Sequence, residues 1–365
     1  MNTTFPFGFD TTTVFYLSLY LLTLAIHAFF MSYVLAGSLY LAWANAFSGT
    51  SDVPRVQQPL ACLLRDWMPF VLSAAITAGV APLLFVQIIY NPHFYTANLL
   101  LGWRWMVVIP VLTAGFYLLY VIKSKKVADW STSCRVALGV STAACFLFIA
   151  FCWSANHLLS IDRSQWPAAY ASSNFVASPL DLCLRLATWI AGTFPVMSVL
   201  AGWQLAFRLN SSEPDASQRA TEARRLAMVS LCGLLIGSVT ASVYAARLPE
   251  SSTQHLFGAA GIPWIALAVV GIVMQAAGWM FQWRNTCFCT RLTSMVTMGC
   301  FAMLLGAAVL REIIRASRID LASMQPSLSE AIEIGGFETF IVFAVLNTVL
   351  IAFCVRLIIQ RKRSD

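Results

Sequence analysis

Four histidines, His27, His93, His157 and His255, are the side chains in this sequence best suited to hold a metal or carry a proton. His27 sits inside the apolar run Leu24-Ala25-Ile26-His27-Ala28-Phe29-Phe30-Met31-Ser32-Tyr33-Val34-Leu35-Ala36-Gly37. An unpartnered imidazole in hydrocarbon costs kilocalories, so this ring needs a ligand or a hydrogen bond. A membrane haem b takes one or two His or Met ligands from facing helices. His27 and Met31, four residues apart, lie on one helix face, so a second bond to the same iron must come from elsewhere. His157 is the first candidate and His93 the second. The competing reading makes His27 a hydrogen-bond donor to a neighbouring carbonyl or hydroxyl, and makes His93 and His255 interfacial residues in water.

Other polar groups extend the site. Arg104, in Gly102-Trp103-Arg104-Trp105, is suited to pair with a haem propionate, although an arginine between tryptophans is also a common interfacial anchor. Gln87 and Tyr90 are candidates for a quinone pocket or for plain interhelical hydrogen bonds. Arg311, Arg315 and Arg318 suit propionates, an acidic partner or lipid phosphate. Cys287-Phe288-Cys289 is a lone C-x-C pair, weak as a metal site. No C-x-x-C-H occurs, so covalent haem attachment is not expected.

The elements that position these groups follow from composition. The 365 residues are 59% hydrophobic and 11% charged, with a mean hydropathy of +0.74. Soluble domains carry about 25% charged residues, so an all-α polytopic membrane bundle is expected. Apolar stretches able to cross a hydrocarbon core of about 30 Å recur near 14–45, 67–90, 99–122, 136–158, 184–207, 225–245, 263–283, 292–314 and 337–359. That makes nine spans in a single integral domain. Residues 1–13 lack the basic start of a cleavable signal, which makes the first span a signal-anchor.

Lys and Arg set the orientation. With the N-terminus outside, the inner segments hold Arg55, Arg65, the Lys123–Arg135 group, the Arg208–Arg225 group, Arg284, Arg291 and the Arg356–Arg363 group. These are sixteen of the 23 basic residues. The expectation is N-out and C-in, in a bacterial inner membrane, with all four histidines towards the outer half. The net charge of +7 fits contact with anionic membrane lipids, and the scattered basic residues do not form a nucleic-acid patch. No Asp or Glu falls at mid-depth in any span, and Asp66, Asp181, Glu312 and Glu338 all lie near helix ends. That argues against a proton pump, an oxygen reductase with a buried relay, or an ion-coupled transporter.

The first two spans resemble subunit I of the cytochrome bd quinol oxidases. The residues that carry the resemblance are His27-Ala28-Phe29-Phe30 with Val34-Leu35-Ala36-Gly37, then Asp66-Trp67-Met68-Pro69-Phe70, Ala78-Gly79-Val80-Ala81 and Phe85-Val86-Gln87. They cover about residues 14–95. The resemblance implies nine spans, an outside N-terminus and a haem ligated by His27. The acidic residues near that family's oxygen-reducing haem find no match, and residues 246–262 are too short for its quinol-binding loop. The expected function is haem-b electron transfer between membrane quinone and an outer-face partner, such as a periplasmic multihaem c-type cytochrome. The alternatives are a cofactor-free membrane scaffold or assembly subunit and, further away, a small-molecule transporter.

Overall fold

The computed structural model describes residues 11–47, 58–172, 178–211, 216–285 and 288–319, with a few helical positions between 341 and 356. In chain order the helices are α1 (Thr11–Ala46), α2 (Pro59–Ile89), α3 (Asn91–Leu101), α4 (Trp103–Met106), α5 (Val108–Lys123) and α6 (Thr132–Ile161). They continue with α7 (Trp166–Ala171), α8 (Pro179–Ser211), α9 (Ala216–Ala246), α10 (Glu250–Leu256), α11 (Ile262–Arg284) and α12 (Thr290–Ala316). No strand occurs among the described residues. Among the described residues, eight segments are helical, long and apolar enough to cross a membrane, so the chain is a multi-pass membrane protein. The ninth expected span, 337–359, falls almost entirely outside the described residues.

The third span departs from the expected 99–122. Its apolar crossing begins at Trp103, because Gly102 breaks the chain between α3 and α4 at φ 56° and ψ −126°. That conformation is open to glycine and strained for any residue with a Cβ. The segment before it folds as the separate helix α3, which carries His93.

Sequential helices pair closely, and small residues set the approach. A Cβ on Gly271 of α11 would lie 2.5 Å from the Gly299 carbonyl of α12, and one on Gly299 would lie 2.7 Å from the Gly271 carbonyl. A Cβ on Gly233 of α9 would meet the Ala191 carbonyl of α8 at 2.7 Å. Lipid gives helices no hydrophobic reason to associate, so this backbone proximity and its dispersion contacts supply much of the attraction. Polar links add to it, including Tyr33 Oη to Gln204 Oε1 at 2.8 Å and Trp203 Nε1 to Thr297 Oγ1 at 2.9 Å. Only 22% of the apolar window of α11 is buried, and Val269, Val270 and Val273 face outward, as lipid contact requires.

Two apolar cores result. One surrounds Tyr33, Leu41, Leu64, Met68, Met197 and Trp279. The other, around Leu17, Phe85, Ile89, Leu158 and Ile313, encloses the polar groups described next.

Candidate functional site

The start of α1, the end of α2, the end of α6, the start of α8 and the end of α12 meet at one end of the bundle. Each brings a polar side chain inward. Tyr20, Tyr90, His157, Arg185, Glu312 and Arg315 are all buried there, Glu312 completely. Glu312 Oε1 accepts from Arg311 Nη1 at 3.0 Å, and Oε2 accepts from Arg315 Nη1 at 3.2 Å and from Tyr90 Oη at 2.9 Å. Arg311 Nη1 also donates to Tyr20 Oη at 2.7 Å, and the Arg315 guanidinium lies 4.3 Å from the Tyr90 ring centre. A carboxylate shared between two arginines and a phenol is the arrangement that makes such burial tolerable.

His157 joins this centre in a fixed tautomer. Arg315 Nη2 lies 3.0 Å from His157 Nδ1. A guanidinium has only donors, so Nδ1 accepts and the ring proton sits on Nε2. Nε2 is buried and has no partner. In this state Nε2 is a donor, so ligation of iron by His157, as expected from the sequence, would require that nitrogen to give up its proton.

His93 behaves in the same way. Arg163 Nε donates to His93 Nε2 at 3.0 Å, which puts the proton on a buried, unpartnered Nδ1. Burial, then the charges of Arg163 and Arg315, lowers the pKa of His93 to about 4. It is 1% exposed and packs edge-on against Trp166, so it is no interfacial residue in water. Ligation by His93, the second candidate, would require the same loss of a proton from its free nitrogen. His255 is exposed, with Nδ1 2.7 Å from the Ser251 carbonyl.

His27 differs from both. Its Nδ1 is 2.9 Å from the Ala75 carbonyl of α2, so Nδ1 carries the proton and Nε2 keeps its lone pair. The ring lies against Gly79, where a Cβ would approach ring atoms to 2.9 Å. A metal-binding imidazole commonly donates its other N–H to a carbonyl, which fixes the ring and raises its basicity. Of His157, His93 and His27, only His27 has an unprotonated free nitrogen in this state.

No family model, curated protein or solved structure matches the chain.

The remaining candidates separate. Tyr90 belongs to the polar centre, and its hydroxyl is committed to Glu312. Gln87, half-buried on α2, takes no part in the hydrogen bonds of that centre. Arg104 lies 5.3 Å over the Trp103 ring, the posture of an interfacial anchor. Among the described residues no three His, Cys, Asp or Glu side chains gather as a metal cluster, and Cys287 of the C-x-C pair is outside them.

Reasoning from sequence missed Glu312 and Arg185 as parts of a site. A helix-end position reads as interfacial, yet α10 reaches the end of α12, where Ser317 Oγ donates to Ser252 Oγ at 2.8 Å. The signal available was Arg311-Glu312 followed by Arg315 within an otherwise apolar helix, charges that need partners at that depth.

Proposed function

We propose that the chain is a membrane electron-transfer subunit that holds a haem b through His27 Nε2. It would exchange electrons between membrane quinone and a redox partner at the end of the bundle where α1 begins, taken as the outer face. The observation that carries the reading is the His27–Ala75 hydrogen bond, which leaves one lone pair of a constrained ring available inside a membrane helix pair. The bound group would supply one-electron chemistry, and the chain's part is to fix the ligand and exclude water.

His27 and Tyr20 are seven residues apart and so share a face of α1, separated by roughly 10 Å along the helix. The protein's ligating nitrogen and its buried arginines therefore lie along one seam. His157 or His93 would have to give up its donor tautomer to join His27 in holding the group. Arg104 stays the alternative partner for a propionate. Contact with a periplasmic multihaem c-type cytochrome and the quinone site are parts of the same proposal.

The test is optical. The detergent-purified protein, expressed with ample haem supply, should show sharp α and Soret bands in the dithionite-reduced minus oxidised spectrum, and His27→Ala should lose most of them. Absence of pigment in the wild type, or full haem content in His27→Ala, would overturn the proposal. The second reading, a cofactor-free scaffold, is favoured by one observation: two of the four histidines are already engaged by arginines.

A further inference from the structure

The polar end of the bundle carries more positive charge than its described partners neutralise. Arg185, Arg311, Arg315 and Arg318 all act electrostatically on the buried His157 ring. Among the described residues two carboxylates answer them, Glu312 to Arg311 and Arg315, and Asp162 to Arg318 at 3.0 Å. The excess is two positive charges. Arg185 is 7% exposed and Arg315 2% exposed, so water does not screen them as it would at a surface.

Unsatisfied donors accompany the charge. Arg185 Nε, Arg315 Nε and His157 Nε2 are buried without a hydrogen-bond partner. Each is an N–H once the tautomer of His157 is fixed, so what they lack is acceptor oxygens. A buried N–H left alone loses its hydration and gains no bond in return, and three in one place are seldom kept without an occupant.

A cavity lies beside them. A polar cavity of about 220 Å³ adjoins the cluster, lined by Leu158, Asp162, Asp181, Tyr244, Arg247 and Arg318. Tyr244 lies within hydrogen-bond reach of Arg185, which ties the cavity wall to the buried charges. Two ion pairs border it, Arg318–Asp162 and Arg247–Asp181, the latter at 2.7 Å.

We infer that this end of the bundle binds a ligand carrying two negative charges on oxygen, reached through the cavity and held by Arg185, Arg315 and the Nε2–H of His157. A phosphate headgroup, a small phosphate ester and the paired carboxylates of a haem share this chemistry. The inference concerns the charge excess and does not depend on ligation by His27.

The test uses the full-length protein in detergent. Thermal unfolding, followed by tryptophan fluorescence, is measured against inorganic phosphate and against sodium chloride at equal ionic strength. Native mass spectrometry of the same sample shows which anionic molecule, if any, has remained bound. The expected result is a saturable rise in Tm with phosphate, or a stoichiometric bound phospholipid or haem that occupies the site. Arg185→Gln should weaken phosphate at least tenfold or release the bound molecule, and Arg185→Lys should keep most of the binding. If the glutamine variant does not fold, the wild-type titration and the lysine variant still decide. The same response in wild type and Arg185→Gln would overturn the inference. So would neither a phosphate effect nor a bound anion. A bound phospholipid separates a lipid source from a haem source, so a colourless but anion-binding protein would sink the haem proposal alone.

Discussion

Arg315 donates to Nδ1 of His157 across 3.0 Å, and that contact decides what the histidine can do. A donor-only guanidinium on one nitrogen makes the other nitrogen a proton carrier. His157→Gln keeps an acceptor for Arg315 and should therefore leave the haem content of the purified protein unchanged, while His27→Ala should not. The reduced-minus-oxidised spectrum of the two variants measures both, and a pigment loss confined to His157→Gln would reverse the assignment.

Among the described residues, Glu312 is the carboxylate that pairs with both Arg311 and Arg315. Glu312→Gln leaves two buried guanidinium groups without a countercharge, which should cost about 3–5 kcal/mol. Thermal unfolding in detergent should show a large fall in Tm. A variant as stable as the wild type would mean that the pair is compensated from elsewhere.

Gly79 gives the His27 ring its space. A Cβ there would sit 2.9 Å from two ring atoms, so Gly79→Ala must push the imidazole from its place or part α1 from α2. Haem occupancy should fall in Gly79→Ala while the protein still inserts and folds. Retention of full occupancy with unshifted bands would show that the ring has room to move.

Gly102 separates α3 from the membrane crossing at φ 56°. Gly102→Ala introduces a Cβ into a conformation that L-residues avoid, at a cost of about 1–3 kcal/mol. The same substitution at Gly192, where an added Cβ meets nothing within 4 Å, should cost far less and serves as the control. Equal changes in Tm would deny the strain.

His93 makes stability depend on pH. Its pKa in the folded protein is about 4, below the ordinary 6.5, because burial and the Arg163 and Arg315 charges oppose protonation. The unfolded chain binds a proton below pH 6.5 that the folded ring refuses until about pH 4. The stability contributed by the neutral ring is thus complete above pH 6.5 and lost as pH falls to about 4. The loss is on the order of 3 kcal/mol. His93→Gln should shrink the difference in Tm between pH 7 and pH 4.5, and an unchanged difference would refute the role.

The membrane bundle was legible in the sequence because hydrocarbon imposes a length and a composition that local reading detects. Runs such as 14–45 and 263–283 need about 20 apolar residues whatever packs beside them. His27 stood out by the same rule, as a costly group in an apolar run, whereas the break at Gly102 that moves the third crossing from 99 to Trp103 was not read. The tertiary structure alone decided that His27 keeps a lone pair where His157 and His93 present an N–H. His157 and Arg315 are far apart in the chain, and so are His93 and Arg163, so no spacing rule reveals that arginines consume their acceptor nitrogens. Glu312 likewise reads as an interfacial charge on α12 until α1, α2 and α10 close over it. Charge, tautomer and solvation depend on neighbours from other helices, and those neighbours exist only once the helices have packed.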